Sequence, residues 1–89
     1  MNTIEIIKKD QYSILQLKRG KVNAINHEMV REIRSAMNDF STDNTVKGVI
    51  LTGIPNFFTA GLDVIELYSY DKKQITEFFA DFGGMFIDM

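Results

Sequence analysis

The chain has 89 residues, of which 45% are apolar, and a net charge of −2 at pH 7. We expect one domain at most, with seven phenylalanines and three tyrosines supplying apolar surface for a core. Scattered lysines and arginines form no stripe for nucleic acid, and every apolar run is far shorter than the ~18 residues of a membrane span. The absence of cysteine removes disulfides and thiolate metal ligands, and the polar N-terminal segment does not resemble a secretion signal. These features favour a cytoplasmic protein.

The sequence pattern of the N-terminal half predicts a β-hairpin followed by an amphipathic helix. Apolar side chains alternate loosely in residues 4–9 and again in residues 12–17, on either side of a short polar turn. After a loop, Asn26 is a favourable N-cap, and apolar residues then recur at helical spacing through residues 29–40.

A third strand is predicted at residues 46–53, which form a β-branched apolar run. Because a helix separates this run from the hairpin, we expect it to lie parallel to a hairpin strand. The predicted fold class is therefore α/β, with a β-hairpin followed by helix–strand–helix units.

Two further helices are predicted from paired capping residues. Asp63 with Glu66, and Asp71 with Gln74, each have the N-cap and N3 spacing of a capping box. The first helix is short. We expect the second to end at the glycines of positions 83–84, although Met85, Phe86 and Ile87 could prolong it after a kink.

Ordinary catalytic side-chain arrangements are not supported. His27 is the only histidine, and we interpret it as a solvated or capping residue in preference to a catalytic base. With no cysteine and no second histidine, we predict no metal site. Asp63 and Glu66 are interpreted as capping residues in preference to an acid–base pair. Four phenylalanines are assigned to a core or subunit interface in preference to an acyl pocket: Phe78, Phe79, Phe82 and Phe86.

The turn at residues 60–63 has two open interpretations. It can be an ordinary strand-to-helix connection, for which Gly61 and an Asp63 cap suffice. Alternatively, small Ala60 and Gly61 let a ligand reach the backbone, where the Leu62 N–H can hold a developing negative charge.

Three segments, taken in order, resemble the crotonase superfamily, which contains the enoyl-CoA hydratases and isomerases. Residues 19–26 (RGKVNAIN), with the helix after them, resemble its first motif, and residues 46–53 (VKGVILTG) resemble its next strand. Residues 56–67 (NFFTAGLDVIEL) resemble its FSAG-x-D signature. The resemblance implies a truncated ββα spiral of the ClpP/crotonase type.

The resemblance also implies a substrate and a site. Members bind acyl-CoA thioesters, with no further cofactor, and stabilise an enolate through two backbone N–H groups. One donor is the residue after glycine in the A-G-x-D turn, which is Leu62 in this sequence. The CoA contacts implied by the same motifs fall at Lys21, Val22, Ala24, Ala60, Gly61, Leu62 and Asp63.

Full-length members are several times longer than this chain, and their second N–H and catalytic glutamates lie beyond the matching segments. The resemblance therefore implies that residues 1–89 are the N-terminal part of a crotonase-like domain. No acidic residue here matches a catalytic position, so we expect a catalytically incomplete chain and assign no acid–base role to Glu28, Glu66 or Glu77. Hydration, isomerisation, thioester hydrolysis and decarboxylation all stay open.

Two alternatives remain: one chain of a split acyl-CoA enzyme with a missing C-terminal portion, or a non-catalytic scaffold that forms homo-oligomers. The candidate apolar residues for self-association are Phe78, Phe79, Phe82, Phe86 and Ile87.

Overall fold

The fold begins with the expected antiparallel hairpin. In a computed structural model, which describes residues 2–88, strand β1 (Ile4–Lys8) pairs with strand β2 (Tyr12–Leu17). Alternate residues of β2 are buried, which gives the hairpin one core-facing side. The hairpin prediction is confirmed.

Helix α1 (His27–Thr42) begins at the predicted cap, where the Asn26 side chain accepts the N–H of Met29 at 2.9 Å. Strand β3 (Gly48–Thr52) follows and pairs parallel to β2, so the sheet order is β1-β2-β3. The strand is shorter than the predicted run because the N–H of Val46 donates to Asp43 in a turn.

Helices α2 (Val64–Tyr68) and α3 (Lys72–Asp88) complete the described chain. At the start of α3, the Gln74 N–H donates to Oδ1 of Asp71 at 2.8 Å, and the Asp71 N–H donates to Oε1 of Gln74 at 2.9 Å. The predicted capping box is therefore reciprocal and complete.

The expected end of α3 at its two glycines is wrong, and the alternative of a continuation into residues 85–87 is the one observed, because the helix runs through positions 83–84 to Asp88. Packing explains the continuation. Met85, just beyond the glycines, is only 3% exposed in the core, and the Arg34 guanidinium from α1 lies against Gly84. Burial and close approach between α1 and α3 outweigh the low helix propensity of glycine.

The core lies between the sheet and the two long helices, since α1 packs against both α3 and β1. Phe78 was a candidate for an exposed association surface, and this is wrong because its side chain is fully buried. Phe79, Phe86 and Ile87 are exposed, as expected, whereas Phe82 is half-buried against the core and was wrongly expected to be exposed. No helix in residues 2–88 is long and apolar enough to cross a membrane. The core residues are Ile4, Leu15, Leu17, Met29, Val30, Ile33, Ala36, Phe78 and Met85.

Candidate functional site

Two loops that are distant in sequence lie side by side and are joined by backbone hydrogen bonds. The N–H of Ala60 donates to the carbonyl of Val22 at 2.8 Å. Ile25 forms a parallel bridge with the second loop, donating its N–H to Gly61 at 2.7 Å and accepting the N–H of Asp63 at 2.7 Å. The loop before α1 and the turn before α2 therefore form one surface.

The Leu62 N–H lies at the centre of this bridge and takes no part in it. In a parallel bridge only one of the two opposed residues uses its own N–H and carbonyl, and here that residue is Ile25. The Gly61 N–H donates to the Thr59 hydroxyl at 3.0 Å. Within residues 2–88, no hydrogen bond satisfies the N–H of Leu62. The donor is free because the bridge uses the N–H and carbonyl of Ile25 and not those of Leu62.

Gly61 gives the turn its shape. Its φ of +98° lies in the region that L side chains rarely adopt. Helix α2 has five residues, so its dipole adds little, and the free backbone donor is the main feature of the turn.

The residues predicted to contact CoA occupy this joined surface. Lys21, Val22 and Ala60 are exposed, whereas Ala24 is half-buried. Gly61, Leu62 and Asp63 are also half-buried. The fold brings all seven positions into two adjacent loops, and their roles stay predictions.

The Asp63 carboxylate has structural partners on both oxygens. Its Oδ1 accepts the Glu66 N–H at 3.0 Å and caps α2, while its Oδ2 pairs with Nη1 of Arg19 at 2.8 Å. The Asp63 N–H bonds to Ile25, so the predicted capping box is one-sided at this helix. The pKa of Asp63 is lowered, first by the Glu66 N–H and then by the Arg19 guanidinium, against the opposing effect of burial.

The fully buried Asn23 forms hydrogen bonds to both loops and was absent from the predicted site residues. Its Nδ2 donates to the carbonyls of Leu17 at 2.7 Å and Phe58 at 3.1 Å, and its Oδ1 accepts the Arg19 N–H at 2.6 Å. Its carbonyl accepts the hydroxyl of Thr59. Sequence reasoning also missed Arg19 and Thr59 as site residues. For Asn23, the available signal was that asparagine tolerates a positive φ, and the φ of Asn23 is 53°.

An apolar pocket of about 180 Å³ opens beside the turn. Phe58 and Phe86 are half-exposed, at 51% and 59%, while Leu17 and Ile33 are buried. Of the four phenylalanines considered in the sequence, only Phe86 contributes to this pocket. The lining residues are Leu17, Ile25, Ile33, Leu51, Phe58, Thr59, Met85 and Phe86.

His27 joins α1 to α3. Its ring is nearly buried, its Nε2 lies 2.6 Å from Oδ2 of Asp81, and it packs edge-on against Phe78 with ring centroids 5.5 Å apart. Its interpretation as a solvated residue is wrong. The remaining Oδ1 of Asp81 accepts from Arg34 at 3.1 Å. No group of three metal-ligating side chains is found in the part of the chain that the structure describes.

Known proteins resemble this chain in sequence and in structure. Residues 9–83 match the model of the enoyl-CoA hydratase/isomerase family. The chain is 31% identical to the probable enoyl-CoA hydratase echA8 of Mycobacterium leprae, over 94% of this chain and 34% of that protein. It is 30% identical to mitochondrial enoyl-CoA delta isomerase 1 of Mus musculus, over 74% of this chain and 23% of that protein.

A crystal structure of an enoyl-CoA hydratase from Geobacillus kaustophilus HTA426 matches 96% of this chain with a TM-score of 0.89 and 28% sequence identity. The match covers 33% of that hydratase chain. This chain therefore spans about a third or less of the length of these relatives.

Proposed function

Because the chain belongs to the enoyl-CoA hydratase/isomerase family, we propose that it binds an acyl-CoA thioester at residues 60–63, with the Leu62 N–H as one donor to the thioester oxygen. The observation that carries this proposal is the free Leu62 N–H between two engaged neighbours, Gly61 and Asp63. A fixed donor of this kind stabilises an enolate oxygen, and one such donor contributes roughly 3–4 kcal/mol to the transition state.

The two adjacent loops offer suitable contacts for the rest of the CoA molecule. Lys21 and Val22 are exposed, and the positive charge of Lys21 complements a phosphate. Ala60 is exposed and carries only a methyl group, so the ligand can approach the backbone closely. We assign the CoA contacts to these residues together with Ala24, Gly61 and Asp63.

We assign the acyl chain to the apolar pocket that Phe58 and Thr59 help to line, immediately before Ala60. Its volume of about 180 Å³ is small. Drug-sized ligands occupy sites of roughly 300–1,000 Å³, so the pocket suits a short acyl chain.

Proton transfer to or from the substrate requires acidic or basic side chains other than those of the residues assigned above to thioester binding. Glu66 lies on α2 and its backbone N–H is bonded to Asp63, and no carboxylate here is assigned to proton transfer. The proposed role of the 89-residue chain is therefore thioester binding and oxyanion stabilisation, with no cofactor besides the CoA of the substrate.

The test uses two variants at one position. Leu62→Pro removes the N–H, whereas Leu62→Ala keeps it and shortens only the side chain. With crotonyl-CoA in calorimetry, we expect Leu62→Pro to weaken binding about tenfold, the value of one hydrogen bond, and Leu62→Ala to bind as the parent does. Free CoA has no thioester oxygen and should bind all three proteins equally. Equal crotonyl-CoA affinities for both variants would contradict the proposal.

A hydration assay with crotonyl-CoA tests the missing acid–base step. We expect no turnover by the 89-residue chain, even when calorimetry shows saturation. Robust hydration would overturn the claim that this chain binds without catalysing.

A second candidate function is self-association as a scaffold. Ile65, Tyr68 and Ile87 are 88%, 91% and 86% exposed, and β3 pairs with one neighbour only in the described sheet. Light scattering should then report oligomers that grow with concentration. A monodisperse monomer at high concentration would argue against this function.

A further inference from the structure

An unfavourable charge lies next to the candidate oxyanion donor. Asp63 follows Leu62 directly, and its side chain is only 17% exposed. A carboxylate at reduced solvent exposure repels a second negative charge nearby more strongly than a fully solvated one does. An enolate held at the Leu62 N–H would therefore be destabilised if the charge of Asp63 were not balanced.

Arg19 supplies the balancing charge. Its Nη1 lies 2.8 Å from Oδ2 of Asp63, and its side chain is 29% exposed. The other basic residue of this strand end, Lys18, pairs instead with Glu5 at 3.4 Å, and both of those side chains are mostly exposed. Arg19 is thus the cation in direct contact with the Asp63 carboxylate.

Arg19 also joins the two loops mechanically. The same Nη1 donates to the carbonyl of Ala24 at 2.9 Å, and the backbone N–H of Arg19 donates to Oδ1 of Asn23 at 2.6 Å. One guanidinium therefore contacts the loop before α1 and the turn before α2. These contacts restrain the segment that carries the Leu62 N–H.

We propose that Arg19 is a positioning residue for the oxyanion site, which holds the two loops in register and neutralises Asp63 so that the Leu62 N–H can donate to an anionic oxygen. The proposal rests on the proposed function, because it assumes that an enolate is bound at Leu62. It assigns Arg19 no contact with the substrate.

The charge role is tested by comparing two CoA thioesters. Acetoacetyl-CoA forms an enolate at mildly alkaline pH, whereas crotonyl-CoA presents a neutral thioester. At a pH where much of the acetoacetyl-CoA is ionised, we expect Arg19→Met to reduce the ratio of acetoacetyl-CoA to crotonyl-CoA affinity about three- to tenfold, since an unbalanced carboxylate remains. Lys18→Met is the matched control and should leave the ratio unchanged, because the exposed Lys18–Glu5 pair lies outside the site.

Two further variants separate the loss of the Arg19 charge from a general disruption of the folded site. Arg19→Lys keeps the cation and should recover most of the ratio. The double variant Arg19→Met/Asp63→Asn removes both charges and should also recover it, since asparagine still caps α2. A ratio in Arg19→Met equal to that of the parent, or one that neither variant recovers, would overturn the charge role.

The positioning role is tested without any ligand, by amide hydrogen exchange at pH 7. The N–H groups of Asp63 and Ile25 join the two loops. We expect their exchange to be at least about tenfold faster in Arg19→Met, and unchanged in Lys18→Met, when amides of α1 serve as the reference for global stability. Unchanged exchange in Arg19→Met would overturn the positioning role. Failure of the parent protein to bind either thioester would overturn the proposed function, and the exchange result would still decide the positioning role.

Discussion

At the scale of single residues, two backbone conformations create the site. Gly61 at φ +98° turns the chain so that the Leu62 N–H is free, and Asn23 at φ +53° places a buried amide where it reaches both loops. Glycine adopts such angles without penalty, and asparagine is one of the few other residues that tolerate them. Gly61 therefore contributes through its backbone conformation and has no side chain, whereas Asn23 contributes through its backbone conformation and its side-chain hydrogen bonds.

Gly61→Ala should destabilise the fold by about 1–2 kcal/mol through backbone strain alone. A Cβ at Gly61 would meet nothing within 4 Å, so steric overlap does not contribute. Gly48→Ala is the matched control, because its Cβ also meets nothing and its φ is not in the left-handed region. Urea denaturation should show a loss for Gly61→Ala only, and equal losses in both variants would contradict the conformational explanation.

Two variants separate the contribution of backbone conformation at Asn23 from that of its side-chain hydrogen bonds. Asn23→Gly keeps the left-handed backbone but removes the side-chain bonds to Leu17, Phe58 and Arg19. Asn23→Ala loses the same bonds and adds strain, so it should be less stable than Asn23→Gly by about 1 kcal/mol. Both should unfold at lower urea concentration than the parent. A more stable Asn23→Ala than Asn23→Gly would show that φ is not limiting at this position.

At the scale of elements, local sequence signals predicted most of the fold. The hairpin, the N-cap of α1, the parallel third strand and the reciprocal Asp71–Gln74 cap are all confirmed. The expected α/β crotonase-like architecture is confirmed by the match to the Geobacillus hydratase. The sequence could not decide whether α3 ends at its glycines or continues past them, because the continuation depends on Met85 entering a core built by distant segments.

The two adjacent glycines of α3 should respond differently to alanine. Gly83 is exposed with open space at its Cβ, so Gly83→Ala should stabilise the helix by about 0.5–1 kcal/mol. A Cβ at Gly84 would lie 2.7 Å from the Arg34 guanidinium. Arg34 would have to move away from Asp81 and Asp88, which offsets the propensity gain.

Thermal and urea denaturation of Gly83→Ala and Gly84→Ala decide this contrast. We expect Gly83→Ala to be the more stable of the two variants and more stable than the parent. Equal gains in both would mean that the contact between Arg34 and Gly84 carries no constraint.

At the scale of the whole molecule, the ionised carboxylate of Asp81 stabilises the packing of α1 against α3. Its pKa is lowered first by the hydrogen bond to His27 and further by the charges of Arg34 and Arg31. A carboxylate whose pKa is lower in the folded state stabilises the fold above its unfolded pKa, close to 3.8. That stabilisation is lost as the pH falls through the lowered folded value. We therefore expect acid destabilisation below about pH 4.

Asp81→Asn should make this acid-induced loss shallower, because the variant has no carboxylate to protonate at the joint between the helices. It should also be less stable than the parent near neutral pH. Asp10→Asn, in the exposed turn between β1 and β2, is the control because it lies outside the contact between α1 and α3, and it should leave the effect of acid on that contact in place. Urea midpoints between pH 2.5 and 6 measure the difference, and identical slopes for Asp81→Asn and the parent would exclude Asp81 as a source of the acid response.

The arrangement of the site could be predicted only in part from the sequence. The turn at residues 60–63 and the loop around Val22 carry motifs that resemble those of the family. The Arg19–Asp63 pair and the bond from Asn23 to Phe58 could not be assigned, since each depends on side-chain placement across more than thirty residues of intervening chain. Long-range polar contacts of this kind leave no periodic signal in a sequence.

The free N–H of Leu62 is the basis of the proposed function, and its amide resonance can be followed directly. Crotonyl-CoA and free CoA are titrated into ¹⁵N-labelled protein, with the amides of Lys21 and Val22 reporting saturation. At saturation with crotonyl-CoA, we expect the Leu62 amide proton to move downfield as it gains an acceptor, and we expect it to stay in place with free CoA. A Leu62 amide that does not move while Lys21 and Val22 report full occupancy would contradict thioester recognition by this turn.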